Sequence, residues 1–378
     1  MKIGLNLLHA HPGIGGGWNY IKNIVAVLQT HDDENEYVAY CTAQSECLVR
    51  EKSNFTKVVV GIRGTNRFAR ILYENSLLPW RAWRDGVNVM YWFANTRALF
   101  STTANLVTVH DLAAFAMPKA YTPLRRLYAH FMLPRSVRTA TVVVPVSEKT
   151  ATDLAAAFRV PPERMVVVRN PLGGNFRPAS AEAVRDFRRR YELPDSIWLY
   201  VAHYYPHKNH ARLLEAYRRL RALDGGAWPL VLRGNKNGAE LEIARLLARW
   251  RLADAVIWLP PLADEEMPVL YSAASALVFP SLFEGGGIPL MEAMACGCPV
   301  VASDIPTTRE FADDAALRFE PRDVESIARA MLACQRDERL RERSRRRGLE
   351  VAESLRSDRT YAQLHKAFAK SALGRRAA

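Results

Sequence analysis

Short apolar runs alternate with amphipathic stretches along the whole chain. In the first half, the runs near 2–8, 36–42, 57–62, 87–92, 105–110 and 141–146 predict strands, with a helix over 17–29 after the first of them. A helix over 148–159 starts behind Ser147, a good N-cap, and a strand near 164–169 ends at Asn170-Pro171. Residues 172–181, with Gly173, Gly174, Pro178 and Ser180, read as a linker. A second series then predicts strands near 197–202, 229–233, 256–259, 276–280 and 300–303, with helices near 209–223, 239–251, 265–274, 288–296 and 323–334. This alternation predicts α/β layers on mostly parallel sheets. Two Rossmann-like units in tandem leave a cleft between them, where ligands usually bind. The last stretch, 336–376, reads as helical, and its arginine-rich run 341–347 as a solvated helix face.

Composition narrows the function classes. A length of 378 residues exceeds one hydrophobic core and suits two domains, and 49% apolar with 24% charged residues is an ordinary globular balance. No run of 18 apolar residues occurs, which predicts no membrane-spanning helix. The first residues read as a β-strand rather than a signal peptide, because His9, His11 and Gly13 follow a short apolar run at once. The five cysteines, Cys41, Cys47, Cys296, Cys298 and Cys334, include no Cys-x-x-Cys pair, so neither a disulfide framework nor a zinc site is expected and a reducing compartment is the default. The net charge of +13 favours anionic partners: nucleic acid, an anionic membrane surface or a diphosphate ligand.

Four constellations carry candidate chemistry. In the run from Ser281 to Val301, a strand enters Glu284-Gly285-Gly286-Gly287-Ile288, Pro289 sits in a first helical turn, and Gly297 stops the helix. Free N–H groups at such a loop and helix start form an anion site. Glu284 and Glu292, in Glu-x7-Glu spacing, bracket it and suit sugar or ribose hydroxyls; the alternative is a capping Glu284 and a surface Glu292. Between Tyr200 and His210 a strand ends in a loop, with Lys208 beside a helix start and Asn209 as its N-cap, an arrangement suited to a diphosphate. The strand Leu106–Val109 delivers His110 and Asp111 to its C-terminal end, where α/β folds bind ligands; the alternative is a buried strand-end histidine with a capping aspartate. Finally, Gly13, Gly15, Gly16 and Gly17 follow the first strand without the Lys-Ser pair of an ATP-binding P-loop.

The Glu-x7-Glu run, with Ala293 through Asp304 behind it, resembles glycosyltransferase family 4 of the GT-B fold, and the resemblance covers nearly the whole chain. It implies two Rossmann-like domains facing across a cleft: an acceptor-binding domain over 1–172, a nucleotide-sugar-binding domain over 173–355, and a C-terminal helix over 356–378, with Tyr361 and Leu364, crossing back to the first. It implies that Glu284 and the amides of Gly286, Gly287 and Ile288 lie at the donor sugar and that Glu292 holds the donor ribose. Lys208 is implied at the diphosphate, His110 near the transfer centre, and Gly16 and Gly17 at the donor phosphates. The loop departs from the family in carrying Ala202 for a usual glycine and His203 for a usual arginine, so either His203 or Arg233 supplies the second basic group. Val146-Ser147-Glu148 and Asn170-Pro171 also resemble the family's marks.

The expected reaction retains anomeric configuration and needs no cofactor and no metal ion, since the chain has no Asp-x-Asp motif. The loop Tyr205–Asn209 resembles bacterial mannosyl- and rhamnosyl-type transferases of polysaccharide assembly, which makes GDP-mannose the first donor expected and UDP-sugars the next. The acceptor is expected to be a glycan or a lipid-linked glycan. Arginines mixed with large apolar side chains over 66–84 and 121–135 suggest a peripheral contact with an anionic membrane, at the inner face of a cytoplasmic enzyme's membrane; the alternative is core-facing helices with an arginine rim. Competing readings are a nucleotide-sugar epimerase of the same fold, a non-catalytic relative, and a basic nucleic-acid-binding protein. No nucleic-acid module is recognisable, so no nucleic-acid partner is expected.

Overall fold

The computed structural model describes residues 1–12, 15–118 and 121–374. The chain divides into two compact units, Met1–Pro171 together with the chain from Leu355 onward, and Leu172–Ser354. The glycine-cluster members Gly13 and Ile14 and the end of the expected terminal helix lie outside the described residues.

In the first unit six parallel strands, β1 (Lys2–Asn6), β2 (Glu36–Cys41), β3 (Phe55–Val59), β4 (Val89–Trp92), β5 (Ala104–Val109) and β6 (Val142–Pro145), form a sheet in the order β3-β2-β1-β4-β5-β6. Helices α1 (Gly16–His31), α2 (Arg67–Asn75), α3 (Leu77–Arg84), α4 (Ala113–Ala116), α5 (Pro123–Thr139) and α6 (Glu148–Phe158) connect them. Their starts follow local chemistry. The side chains of Asn66, Thr122 and Ser147 accept from Ala69, Arg125 and Thr150 N–H, and Pro123 opens α5 with its fixed φ. Buried on both faces, β4 and β6 read as continuous apolar runs, while β1 and β5 also bury Asn6, Asn105 and Thr108.

The second unit repeats the plan with β7 (Trp198–Val201), β8 (Leu230–Arg233), β9 (Val256–Trp258), β10 (Ala276–Phe279), β11 (Val300–Ser303) and β12 (Ala316–Phe319), ordered β12-β11-β10-β7-β8-β9. Its helices are α7 (Ala181–Arg190), α8 (His210–Leu223), α9 (Glu240–Arg249), α10 (Met267–Ala273), α11 (Ile288–Ala295), α12 (Pro306–Ala312), α13 (Val324–Arg336) and α14 (Glu338–Glu353). Each sheet therefore has one switch point, between β1 and β4 and between β7 and β10, where strand order reverses and α/β folds bind ligands.

Helix α15 (Ser357–Gly374) returns to the first unit, where Leu364, Ala367 and Phe368 join Ile3, Leu5 and Tyr91 in one apolar cluster. Two expectations are corrected. Residues 164–169 form no strand: Val166 and Val168 N–H donate to Val143 and Pro145 C=O, but Pro145 has no N–H with which to return a bond. The arginine run 341–347 is not simply solvated, because Arg341 donates to the Cys334 and Gln335 carbonyls at the end of α13, Arg345 donates to Gly297 O, and Arg347 pairs with Asp314.

Candidate functional site

The second unit gathers its chemistry at its switch point. The loop after β7 closes a short 3-10 turn, Pro206–Lys208, and the loop after β10 runs through Glu284 to Gly287. The two loops are zipped together. Leu282 N–H donates to His207 C=O at 2.8 Å, and Lys208 Nζ donates to Glu284 Oε1 at 2.6 Å. The side chains of that ion pair are 17% and 9% exposed, so water screens it little. Tyr200, on β7, donates its hydroxyl to Lys208 C=O at 2.5 Å, which fixes the turn from which Lys208 projects.

Asn209 has a different role from the capping residue expected there. It stands before α8 in a left-handed conformation with φ 63°, and its side chain makes no capping bond. Nδ2 donates instead to Pro280 C=O at 3.0 Å and to Pro321 C=O at 2.8 Å, while Oδ1 accepts from Arg212. Asparagine tolerates this backbone, and its amide ties three loops together at the ends of β7, β10 and β12.

At the start of α11, Gly287 is the N-cap residue with φ 55°, and no side chain caps the helix. The first amides of this helix thus carry the uncompensated positive end of its dipole. Thr307 Oγ1 donates to Glu284 C=O at 2.7 Å and holds the approach to the turn. Neither alternative reading of the glutamates survives: Glu284 pairs with Lys208 rather than capping α11, and Glu292 is buried, not on the surface. Tyr271 of α10 donates its hydroxyl to Glu292 Oε2 at 2.9 Å.

Arg233, at the end of β8, belongs to the same group. It lies close enough to Tyr271 and to His203 to be felt electrostatically by both, and its Nε is buried without a partner. His203 Nδ1 accepts the Asn235 N–H at 2.9 Å, so the proton of the neutral ring sits on Nε2. Burial, followed by Arg233 and Lys208, depresses the imidazole's pKa and keeps that ring neutral. The unit thus assembles two cations, one imidazole N–H, an uncapped helix start and two carboxylates. That set can hold a diphosphate between hydroxylated groups.

The first unit holds the remaining candidates. Gly16 and Gly17 form the first turn of α1, whose N-cap Gly15 has φ 65° and which no side chain caps. His110, directly after β5, has its ring nitrogen Nε2 2.7 Å from Phe93 C=O, which only an Nε2–H can bond, and Nδ1 is then left with a lone pair. Its backbone N–H donates to Asn95 Oδ1 at 2.7 Å, and the Tyr20 ring of α1 stands edge-on at 4.8 Å. Burial lowers the His110 pKa, against the opposing pull of the Phe93 bond and Asp111. Asp111 shapes the loop by accepting the Ala113 N–H at 2.9 Å.

The sequence reading missed Tyr271, Thr307 and Tyr20. Each is a single polar atom on an otherwise ordinary helix, and no local spacing marks it. Among the described residues no three His, Cys, Asp or Glu side chains gather in a way that would hold a metal ion.

Comparison with known proteins gives consistent findings. The family model described as Glycosyltransferase Family 4 matches residues 14–172, and the one described as Glycosyl transferases group 1 matches residues 185–351. O-antigen chain mannosyltransferase B of Escherichia coli is 30% identical over 275 residues, 72% of each chain. Sucrose-phosphate synthase from Thermosynechococcus elongatus superposes with a TM-score of 0.79 at 19% identity, over 98% of both chains. Anabaena HepE in complex with UDP-glucose superposes with a TM-score of 0.77 at 16% identity, over 98% of this chain and 99% of that one. The fold is GT-B.

Proposed function

The chain belongs to glycosyltransferase family 4, and we propose that it moves a mannosyl residue from a nucleoside-diphosphate donor to a glycan acceptor in cell-surface polysaccharide synthesis, with retention and without a metal ion. The observation that carries this is the switch point of the second unit, where Lys208 pairs with Glu284, Tyr271 holds Glu292, Arg233 is within electrostatic reach of Tyr271, and α11 starts uncapped. As the anomeric carbon–oxygen bond to the phosphate breaks, negative charge grows on the leaving diphosphate. Lys208 Nζ, the Arg233 guanidinium, His203 Nε2–H and the amides of Gly286, Gly287 and Ile288 stabilise it. The acceptor hydroxyl oxygen forms the new bond to the anomeric carbon from the same face. Its proton passes to the departing phosphate oxygen, so no protein nucleophile is required. Glu292 takes the ribose hydroxyls and Glu284 the donor sugar.

GDP-mannose is the proposed donor, in keeping with the mannosyltransferase likeness; a UDP-sugar is the second reading, favoured by the likeness to a structure holding UDP-glucose. Thermal-shift measurement with GDP, UDP, ADP and dTDP tests the donor, because a ligand of the native state raises its apparent stability. Stabilisation by GDP above the others is the expected result. No response to any of the four would overturn the reading.

The acceptor is proposed to be lipid-linked and the enzyme peripheral to an anionic bilayer. On α2, Phe68 and Leu72 are 80% and 70% exposed, and on α5, Leu124, Leu127 and Phe131 form one exposed stripe. Arg67, Arg125 and Arg126 flank these side chains, the composition of an interfacial helix face. No described helix is long and apolar enough to cross a membrane. The unpaired thiols, including exposed Cys47, suit a reducing compartment, and the cytoplasmic face of the membrane is proposed. Flotation with vesicles containing phosphatidylglycerol is the test; vesicle-independent sedimentation would remove the membrane contact.

A further inference from the structure

The first unit has a polar cluster at its own switch point that the donor chemistry does not use. Asn6 ends β1, and its Nδ2 donates to Glu74 Oε1 of α2 at 3.0 Å. His9, three residues on, is 7% exposed, and its Nδ1 is buried with no partner. Arg70, one helical turn before Glu74, has a buried Nε with no partner. Tyr128 of α5 closes the group, bonded to Thr96 in the loop after β4 and within electrostatic reach of both Glu74 and Arg70. His9 in turn feels Arg70 and His110. The cluster thus runs from the ends of β1, β4 and β5 to the inner sides of α2 and α5.

Buried polar atoms without partners are rare in folded proteins and call for an explanation. Three features select among ligands. The position is the reversal of strand order, where parallel sheets bind small molecules. The groups are mixed: a carboxylate that accepts, a guanidinium that donates, and an imidazole that does one of each. Burial, followed by Arg70, drives the His9 pKa down to about 3, so the ring stays neutral. A phosphate calls for donors on every side, whereas the Glu74 carboxyl, whose pKa burial raises, and the His9 Nδ1 lone pair offer acceptors. A pyranose, whose hydroxyls both donate and accept, satisfies all three side chains.

We propose that His9, Arg70 and Glu74 form the seat of the acceptor's terminal sugar, a neutral hexopyranose bound through its hydroxyls. The identity of this ligand as an acceptor rests on the transferase reading above. Arg70 and Glu74 hold ring hydroxyls, and His9 Nδ1 accepts one more. The sugar is then held near His110, so these residues set which acceptor is used and in what orientation, without contributing to donor activation.

Saturation-transfer NMR of the full chain with methyl α-mannoside, in the presence of GDP, tests this. The expected result is a mannoside signal that is lost in both Arg70→Met and Glu74→Gln, while the GDP-induced thermal shift is kept. In turnover the same variants should raise the acceptor KM by about tenfold, the effect of unpairing a hydroxyl-binding group, with the donor KM unmoved. His9→Gln, which preserves a ring-sized hydrogen-bonding group, should lie between. Mannoside binding that survives both substitutions overturns the proposal. So does binding of inorganic phosphate, in place of the mannoside, that depends on Arg70. A chain that shows no GDP-induced shift fails the donor reading instead, and the two failures are read from the same samples.

Discussion

The ammonium of Lys208 and the carboxylate of Glu284 meet at 2.6 Å across the reversal of strand order in the second sheet, 76 residues apart in sequence. The pair is largely shielded from water, so each member holds the other's charge in place, and a diphosphate entering the site meets a lysine already positioned and desolvated.

Lys208→Met therefore has two separable consequences. It leaves Glu284 without its partner, which costs about 3 kcal/mol of stability, and it removes charge stabilisation from the leaving group, which costs at least about a hundredfold in kcat. The double variant Lys208→Met/Glu284→Gln should recover most of the stability in urea denaturation and none of the turnover. Recovery of turnover in the double variant would make the lysine structural.

Tyr271→Phe removes the hydroxyl that donates to buried Glu292. A weakened hydrogen bond to a buried carboxylate costs roughly 1–3 kcal/mol, and a freer Glu292 holds a ribose less well. Nucleotide affinity, measured by isothermal titration, should fall with stability while kcat at saturating donor changes little.

These two variants also mark how much could be read without coordinates. Lys208, Glu284 and Glu292 were legible because a strand end, a glycine loop and a fixed spacing are local features. Arg233 was legible as a strand-end cation, but its grouping with Tyr271 and His203 was not, since two strand ends and a helix far apart in sequence contribute. Asn209 was read as a cap from its place before α8; its tie to Pro280 and Pro321 depends on strand order, which no local pattern encodes. The same holds for α7, whose ten residues bury only Phe187 and whose arginines mask an apolar stripe, and for β12, four residues long and buried only at its two ends. The failed strand at 164–169 turned on the missing N–H of a single proline in its neighbour.

Backbone geometry separates two glycines. Gly287→Ala meets no close atom, with Leu290 and Thr307 at 3.8 Å, so its cost is the left-handed φ of 55°, about 1 kcal/mol. It should fold and bind nucleotide more weakly. Gly234→Ala would put its Cβ 1.9 Å from Ala202 C=O, at φ 147°, and forces β7 and β8 apart. Soluble yield and Tm should drop far more for the second variant; equal behaviour would contradict the geometry.

The pH dependence of stability follows from two buried imidazoles. Burial pushes both His9 and His210 from the ordinary 6.5 down to about 3. Between those values the unfolded chain binds protons that the folded rings refuse, so stability falls as pH falls below about 6.5, at up to roughly 1.4 kcal/mol per pH unit for each ring. Urea midpoints should decline from pH 7 to pH 5, and His210→Phe, which keeps the stacking on Trp258, should flatten that slope.

The last expectation concerns the metal ion. A divalent cation serves glycosyl transfer by neutralising the leaving diphosphate. Lys208, Arg233 and the uncapped start of α11 place two full positive charges and a helix dipole at one switch point, and the proposed mechanism gives them this task in place of an ion. Turnover should accordingly remain within about twofold in excess EDTA, with no gain from added magnesium or manganese. Arg233→Met should then cost turnover and leave the insensitivity to EDTA unchanged. Activity abolished by EDTA and restored by a divalent metal would assign the neutralising charge to the ion and leave Lys208 and Arg233 with orientation alone.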